Sequence, residues 1–127
     1  METFDMKYFA SLFILAAIII TGCSNSESVT YVGKTLEYQY GESIYHVTFD
    51  SDSEMHWEAV AGDETGAKEN ENYKAEWVDS QKLFITWVEA NGIGVSQILD
   101  FENGIVYNHL LRGREVNVGT GKISWIE

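Results

Sequence analysis

The sequence predicts an all-β fold: about eight antiparallel strands in up-and-down order, closing into a barrel after an N-terminal signal segment. Three observations carry this. Apolar and polar residues alternate in short runs, and no 3.6-residue pattern is sustained. Turn-forming residues separate the runs at short intervals. The chain contains no proline.

The strands are expected in order at 34–40 (KTLEYQY), 43–50 (SIYHVTFD), 54–61 (EMHWEAVA), 72–79 (NYKAEWVD), 82–89 (KLFITWVE), 95–101 (VSQILDF), 105–111 (IVYNHLL) and 115–126. Turn chemistry joins them at Asp50-Ser51-Asp52-Ser53, Gly62-Asp63, Asp79-Ser80, Asn91-Gly92 and Asn103-Gly104. Side chains alternate across a strand, so parity assigns faces. Leu36, Tyr38 and Tyr40 oppose Glu37 and Gln39. Tyr45, Val47 and Phe49 oppose His46 and Thr48. Met55, Trp57 and Ala59 oppose Glu54, His56 and Glu58. Tyr73, Ala75 and Trp77 oppose Lys74 and Glu76. Leu83, Ile85, Trp87 and Glu89 oppose Phe84, Thr86 and Val88. The first set in each pair is expected inside. A sheet of eight amphipathic strands closes because closure removes its edges. A two-sheet sandwich is the alternative. An eight-stranded barrel is either filled by side chains or holds one small ligand.

The domain is preceded by a different kind of segment. Tyr8 to Ile20 is an uncharged apolar run of 13 residues. That is short of the roughly 20 needed to span a bilayer and fits the core of a secretory signal. Glu2 and Asp5 precede Met6-Lys7, which reads as a better signal start, so translation is expected to begin at Met6. Ile20-Thr21-Gly22-Cys23 resembles the lipobox of bacterial lipoproteins. The resemblance implies cleavage before Cys23, a lipidated Cys23 and a cell-envelope location; Ser24 after Cys23, in place of the aspartate of inner-membrane retention, points to the outer membrane where two are present. Several acyl chains hold a domain at a membrane far better than one. The expected organisation is 1–22 signal peptide, 23–31 lipidated tether and 32–127 barrel.

Charge and cysteine usage exclude several functions. Removing Glu2, Asp5 and Lys7 with the leader leaves 18 acidic and seven basic residues, net −11. Such a surface repels nucleic acid, so no nucleic-acid partner is expected. Cys23 is the single cysteine, so no intramolecular disulfide can form. His46, His56 and His109 show no ligand spacing, and no cofactor motif or metal site is expected.

Gly33-Lys34, Tyr38-x-Tyr40, Tyr45-x-Val47-x-Phe49 and the strand ending Ala61-Gly62 precede Ile85-Thr86-Trp87-x-Glu89, Gly92 and Ile98-x-Asp100-Phe101. Together these resemble the MoaF-type domain and the phenolic acid decarboxylases, which share a small lipocalin-like (calycin) barrel. The resemblance spans roughly 33–126. For a decarboxylase it implies a carboxylate clamp at Tyr38 and Tyr40 and proton handling by Glu89. Two phenols can donate to a carboxylate, and a carboxyl in an aromatic cavity holds its proton toward neutrality. The arginine expected after the third strand is missing: the stretch reads Gly66-Ala67-Lys68, and Lys does not replace a bidentate fork.

The sequence therefore leads to an exported, lipid-anchored barrel that binds a small, mostly apolar or aromatic ligand. Tyr38, Tyr40, Tyr45, Trp57, Trp77, Trp87 and Glu89 are the expected lining. Taken singly, the aromatics read first as core, and Glu89 equally as a solvated strand end. With no arginine beside Glu89, a neutral or cationic ligand is expected over an anionic one. The alternatives are a decarboxylase-type lyase with Glu89, Tyr38 and Tyr40 as catalytic groups, and a solid barrel acting as a protein-interaction module.

Overall fold

A computed structural model describes residues 27–126. The signal segment, Cys23 and the first part of the tether lie outside the described residues. The eight strands are β1 (Thr35–Tyr40), β2 (Ser43–Phe49), β3 (Glu54–Ala61), β4 (Lys68–Asp79), β5 (Lys82–Val88), β6 (Gly94–Asp100), β7 (Ile105–Arg112) and β8 (Glu115–Ile126). Each pairs antiparallel with its neighbour in sequence. β1 closes the barrel on β8, with Leu36 opposite Trp125 and Tyr38 opposite Ile123.

The alternation of the sequence becomes the inside and outside of the wall. Leu83, Leu99 and Val106 oppose one another across β5, β6 and β7, and all three are fully buried. Phe84 and Val88, on the other parity of β5, are exposed. Ala75 shares the inner parity of Tyr73 and Trp77 yet is exposed. The β1–β2 hairpin turns on two residues, Gly41-Glu42, between the paired Tyr40 and Ser43. Gly41 has φ 59° and Glu42 does not have positive φ. A tight hairpin turn with glycine first favours that arrangement, because its twist matches the strands.

One strand starts earlier than its pattern suggests. β4 begins at Lys68, not at residue 72. Residues 68–71 read KENE and carry no apolar side chain, so hydrophobic alternation does not report them. Glu69 and Glu71 occupy the inner parity that Tyr73 continues. The other strand bounds fall within one residue of expectation, and β5 ends at Val88, so Glu89 opens the following turn.

The two ends of the barrel differ. Strand direction puts the starts of β1, β3, β5 and β7 at one end. There Tyr31 stands edge-on to Phe49 (5.1 Å between ring centroids) and to Trp77 (5.9 Å). Phe101 tilts against Trp77 and stacks on Trp125 at 5.4 Å. Tyr73 donates from its hydroxyl to the Ser51 carbonyl at 2.5 Å. These rings, with Leu83 and Leu99, fill that end. The turns after β1, β3, β5 and β7 surround the other end, which is open.

Candidate functional site

The open end holds a cavity of about 390 Å³, within the range of small-ligand sites, roughly 300–1,000 Å³. Tyr38, Tyr40, Tyr45, Trp57, Trp87 and Glu89 all line it. Each follows from strand parity plus a position near the open end. Trp77 does not line it. It has the inner parity, but it lies near the far end of β4, where it packs between Tyr31 and Phe101. Parity fixes a face and leaves the height to the direction of the strand.

The aromatic wall is continuous. Tyr38, Tyr40, Tyr45 and Trp57 meet edge to face in sequence, with centroid separations of 6.4, 6.2 and 6.0 Å. Such pairs hold one another at defined angles. Burial raises the Tyr38 hydroxyl pKa, as it does those of Tyr40 and Tyr45, so all three stay neutral donors. Tyr45 Oη donates to Glu64 Oε2 at the rim. Across the cavity Gln97 Nε2 donates to Asn108 Oδ1 at 2.9 Å, joining two cross-strand partners on β6 and β7.

Glu89 sits half-buried on the cavity wall. Its backbone N–H donates to the Ile93 carbonyl at 2.9 Å and its carbonyl accepts from Gly92 N–H at 2.9 Å. The Asn91-Gly92 turn therefore holds its backbone in place. Burial pushes the Glu89 carboxyl above the usual carboxylate range, and the charges of Glu69 and Glu64 add to that. Asn91 and the Arg112 charge pull it back.

Two glutamates that alternation did not report complete an acidic group. Carboxylate oxygens of Glu69, Glu71 and Glu89 lie within 4.8 Å of one another. Glu71 is buried, and its Oε1 accepts from Trp57 Nε1 at 3.3 Å. Burial pushes the Glu71 carboxyl up to about 7. The Glu69 carboxyl beside it and the charge of Glu89 act the same way, against the Trp57 donor. The signal for these residues was positional: they extend the inner parity of Tyr73 toward the open end.

Arg112 overturns a second expectation. It lies far along the chain from Glu89, yet it lines the same cavity. It continues the inner parity of Val106, Asn108 and Leu110, and β7 ends at the open end as β5 does. The site thus has an arginine, delivered by a strand remote in sequence. The histidines stay apart on the outer face: His46 pairs with Glu37 at 3.1 Å and His56 with Asp50 at 2.8 Å.

Comparison with known proteins agrees with this architecture. Among solved structures, a Burkholderia vietnamiensis crystal structure, provisionally described as a beta-lactamase, superposes with a TM-score of 0.71 at 22% identity. The match covers 79% of this chain and 99% of that one. It establishes a shared fold. No curated protein matches the chain. The model of the MoaF-like family matches residues 32–124, nearly the whole barrel. The chain belongs to the MoaF-like family.

Proposed function

We propose that this is an exported lipoprotein, anchored through Cys23, whose barrel binds a small, mostly apolar ligand at its open end. The observation that carries the binding half is the cavity itself, about 390 Å³ and walled by Tyr40, Tyr45, Trp57 and Trp87. A barrel serving only as a solid interaction module would have filled that volume with side chains, as it does at the other end. Tyr31 enters the barrel at the filled end. A tether arriving there leaves the mouth away from the anchor, open to solvent.

Native mass spectrometry of the purified protein tests the binding half. A co-purified molecule lost on substitution of Trp57 and Trp87 by alanine is the expected result. An occupant that survives both changes counts against the cavity as its site. For the anchor, Cys23→Ser is expected to move the protein from the membrane fraction to the soluble fraction. Retention of the variant at the membrane overturns the anchor.

A second reading has one observation in its favour. Arg112 joins Tyr38, Tyr40 and Glu89 around one cavity, the combination a decarboxylase-type lyase requires. Incubation with hydroxycinnamic acids tests it through release of carbon dioxide. Absence of turnover removes it.

A further inference from the structure

The open end is crowded with carboxyl groups. Glu64 and Glu89 line the cavity, and Glu69 and Glu71 adjoin Glu89. Among the described residues, Arg112 is the one basic side chain on the cavity wall. The whole chain carries a net charge of −12, so the long-range field also draws cations toward the protein.

Geometry narrows the kind of cation. Oxygens from Glu69, Glu71 and Glu89 lie within 4.8 Å of one another. An ammonium offers three N–H donors from a tetrahedral nitrogen, and acceptors about 2.9 Å from it stand roughly 4.7 Å apart. The Oε2 of Glu69 is buried and has no hydrogen-bond partner among the described residues. The neighbouring wall is aromatic: Tyr45, Trp57 and Trp87. Ring faces attract an organic cation, whereas calcium needs roughly six to eight oxygen ligands, which an aromatic wall does not supply.

A separate observation concerns the polar groups of the same cavity. Tyr38 is 2% exposed, Gln97 5% and Trp87 8%. All three line the cavity. The Tyr38 hydroxyl, Gln97 Oε1 and Trp87 Nε1 have no hydrogen-bond partner among the described residues. Buried polar groups left unpaired cost free energy, and a ligand that pairs them recovers it. Two of the three can donate, and Gln97 Oε1 accepts.

We propose that the cavity takes a primary amine on a flat apolar body, with the ammonium on Glu69, Glu71 and Glu89 and a polar far end on Tyr38 and Gln97. This rests on the barrel being a ligand site. The body lies against Trp57 and Trp87, and a hydroxyl at the far end both donates to Gln97 Oε1 and accepts from Tyr38. Arg112 balances part of the acidic charge and disfavours a second cation at the mouth.

Three probes that share one ring test this: tyramine, 4-hydroxyphenylethanol and 4-hydroxyphenylacetate. They differ in a terminal ammonium, hydroxyl or carboxylate. Calorimetric titration of the full chain in lipid nanodiscs at pH 8 is expected to show tyramine binding at least tenfold tighter than the alcohol, with the acid weakest. Glu71→Gln and Glu89→Gln are expected to cut the preference for the amine over the alcohol below threefold. Equal binding of amine and alcohol overturns the ammonium assignment and leaves the ligand-binding barrel standing. Tighter binding of the acid does the same and favours the Arg112 side. Calcium chloride that binds in place of tyramine, and is lost in Glu71→Gln, reassigns the three carboxyls to a metal and overturns the amine. Failure of all three probes, with a different occupant found by native mass spectrometry, overturns the amine alone; failure with an empty cavity overturns both readings.

Discussion

The indole N–H of Trp57 on β3 donates to Glu71 Oε1 on β4 at 3.3 Å. The bond stabilises the ionised form of a carboxyl that burial and two neighbouring glutamates push toward the neutral form. Trp57→Phe keeps the ring and removes the donor. It is expected to raise Glu71 above its value of about 7. Carboxyl-carbon NMR titration of both proteins measures the change, and an unmoved or lowered midpoint contradicts it.

Glu71 also sets the direction of a pH effect on stability. Its ordinary value is 4.5 and its folded value about 7. Between these the folded state binds more protons than the unfolded chain, so stability falls as pH rises through the window and levels off above it. Glu89, also raised, contributes with the same sign. Glu71→Gln has no proton to lose there. Its urea midpoint is expected to fall less between pH 5 and pH 8 than that of the parent. Asp100 acts elsewhere: burial pushes it up, but the Asn103 side-chain and backbone N–H groups hold it below the ordinary range. Its contribution is present above the ordinary carboxylate value and is lost as pH falls through the lower folded one. A parent and variant with identical pH slopes would remove Glu71 from the account.

The filled and hollow ends predict different costs of truncation. Leu83 is fully buried between Leu99 and the closed-end aromatics. Leu83→Ala is expected to cost about 2–5 kcal/mol, the range for a large-to-small change in a packed core. Leu110 is partly buried and already borders the cavity. Leu110→Ala leaves no new sealed void and is expected to cost about 1 kcal/mol. Denaturant unfolding of the two variants compares them, and equal costs would argue that the two ends are packed alike.

Gly121 is constrained by what faces it. A Cβ there would stand 2.7 Å from the Gln39 carbonyl oxygen and 2.7 Å from Cδ1 of Tyr40. The first is backbone of β1, which pairs with β8 beside it. Gly121→Ala must therefore displace the closing strand pair or the Tyr40 ring on the cavity wall. A loss of about 1–3 kcal/mol is expected from such overpacking. Thermal unfolding checks it, and a variant as stable as the parent would show that Tyr40 yields freely.

The inner and outer faces were legible because one side of each strand is wet. Leu83, Ile85 and Trp87 are buried while Phe84 and Val88 are exposed, as alternation requires. Apolar alternation marks a face only where the inward side chains are apolar. Glu69 and Glu71 face inward without being apolar, so β4 lost its first four residues in the sequence reading. Trp77 met the rule for face but sits at the filled end, because parity carries no height.

By itself the sequence determined an all-β chain of about eight strands, their order and, for β1 to β5, most of the side chains turned inward. Those properties are local: period-two alternation and turn chemistry act within a few residues. Only the tertiary structure decided what meets across the barrel. Closure of β1 on β8 and the rise of β7 to the open end bring Arg112 to the cavity that Glu89 lines. The start of β4 brings Glu69 and Glu71 beside Glu89. The charge of the site, and with it the kind of ligand it favours, depends on side chains that only the closed sheet puts in one place.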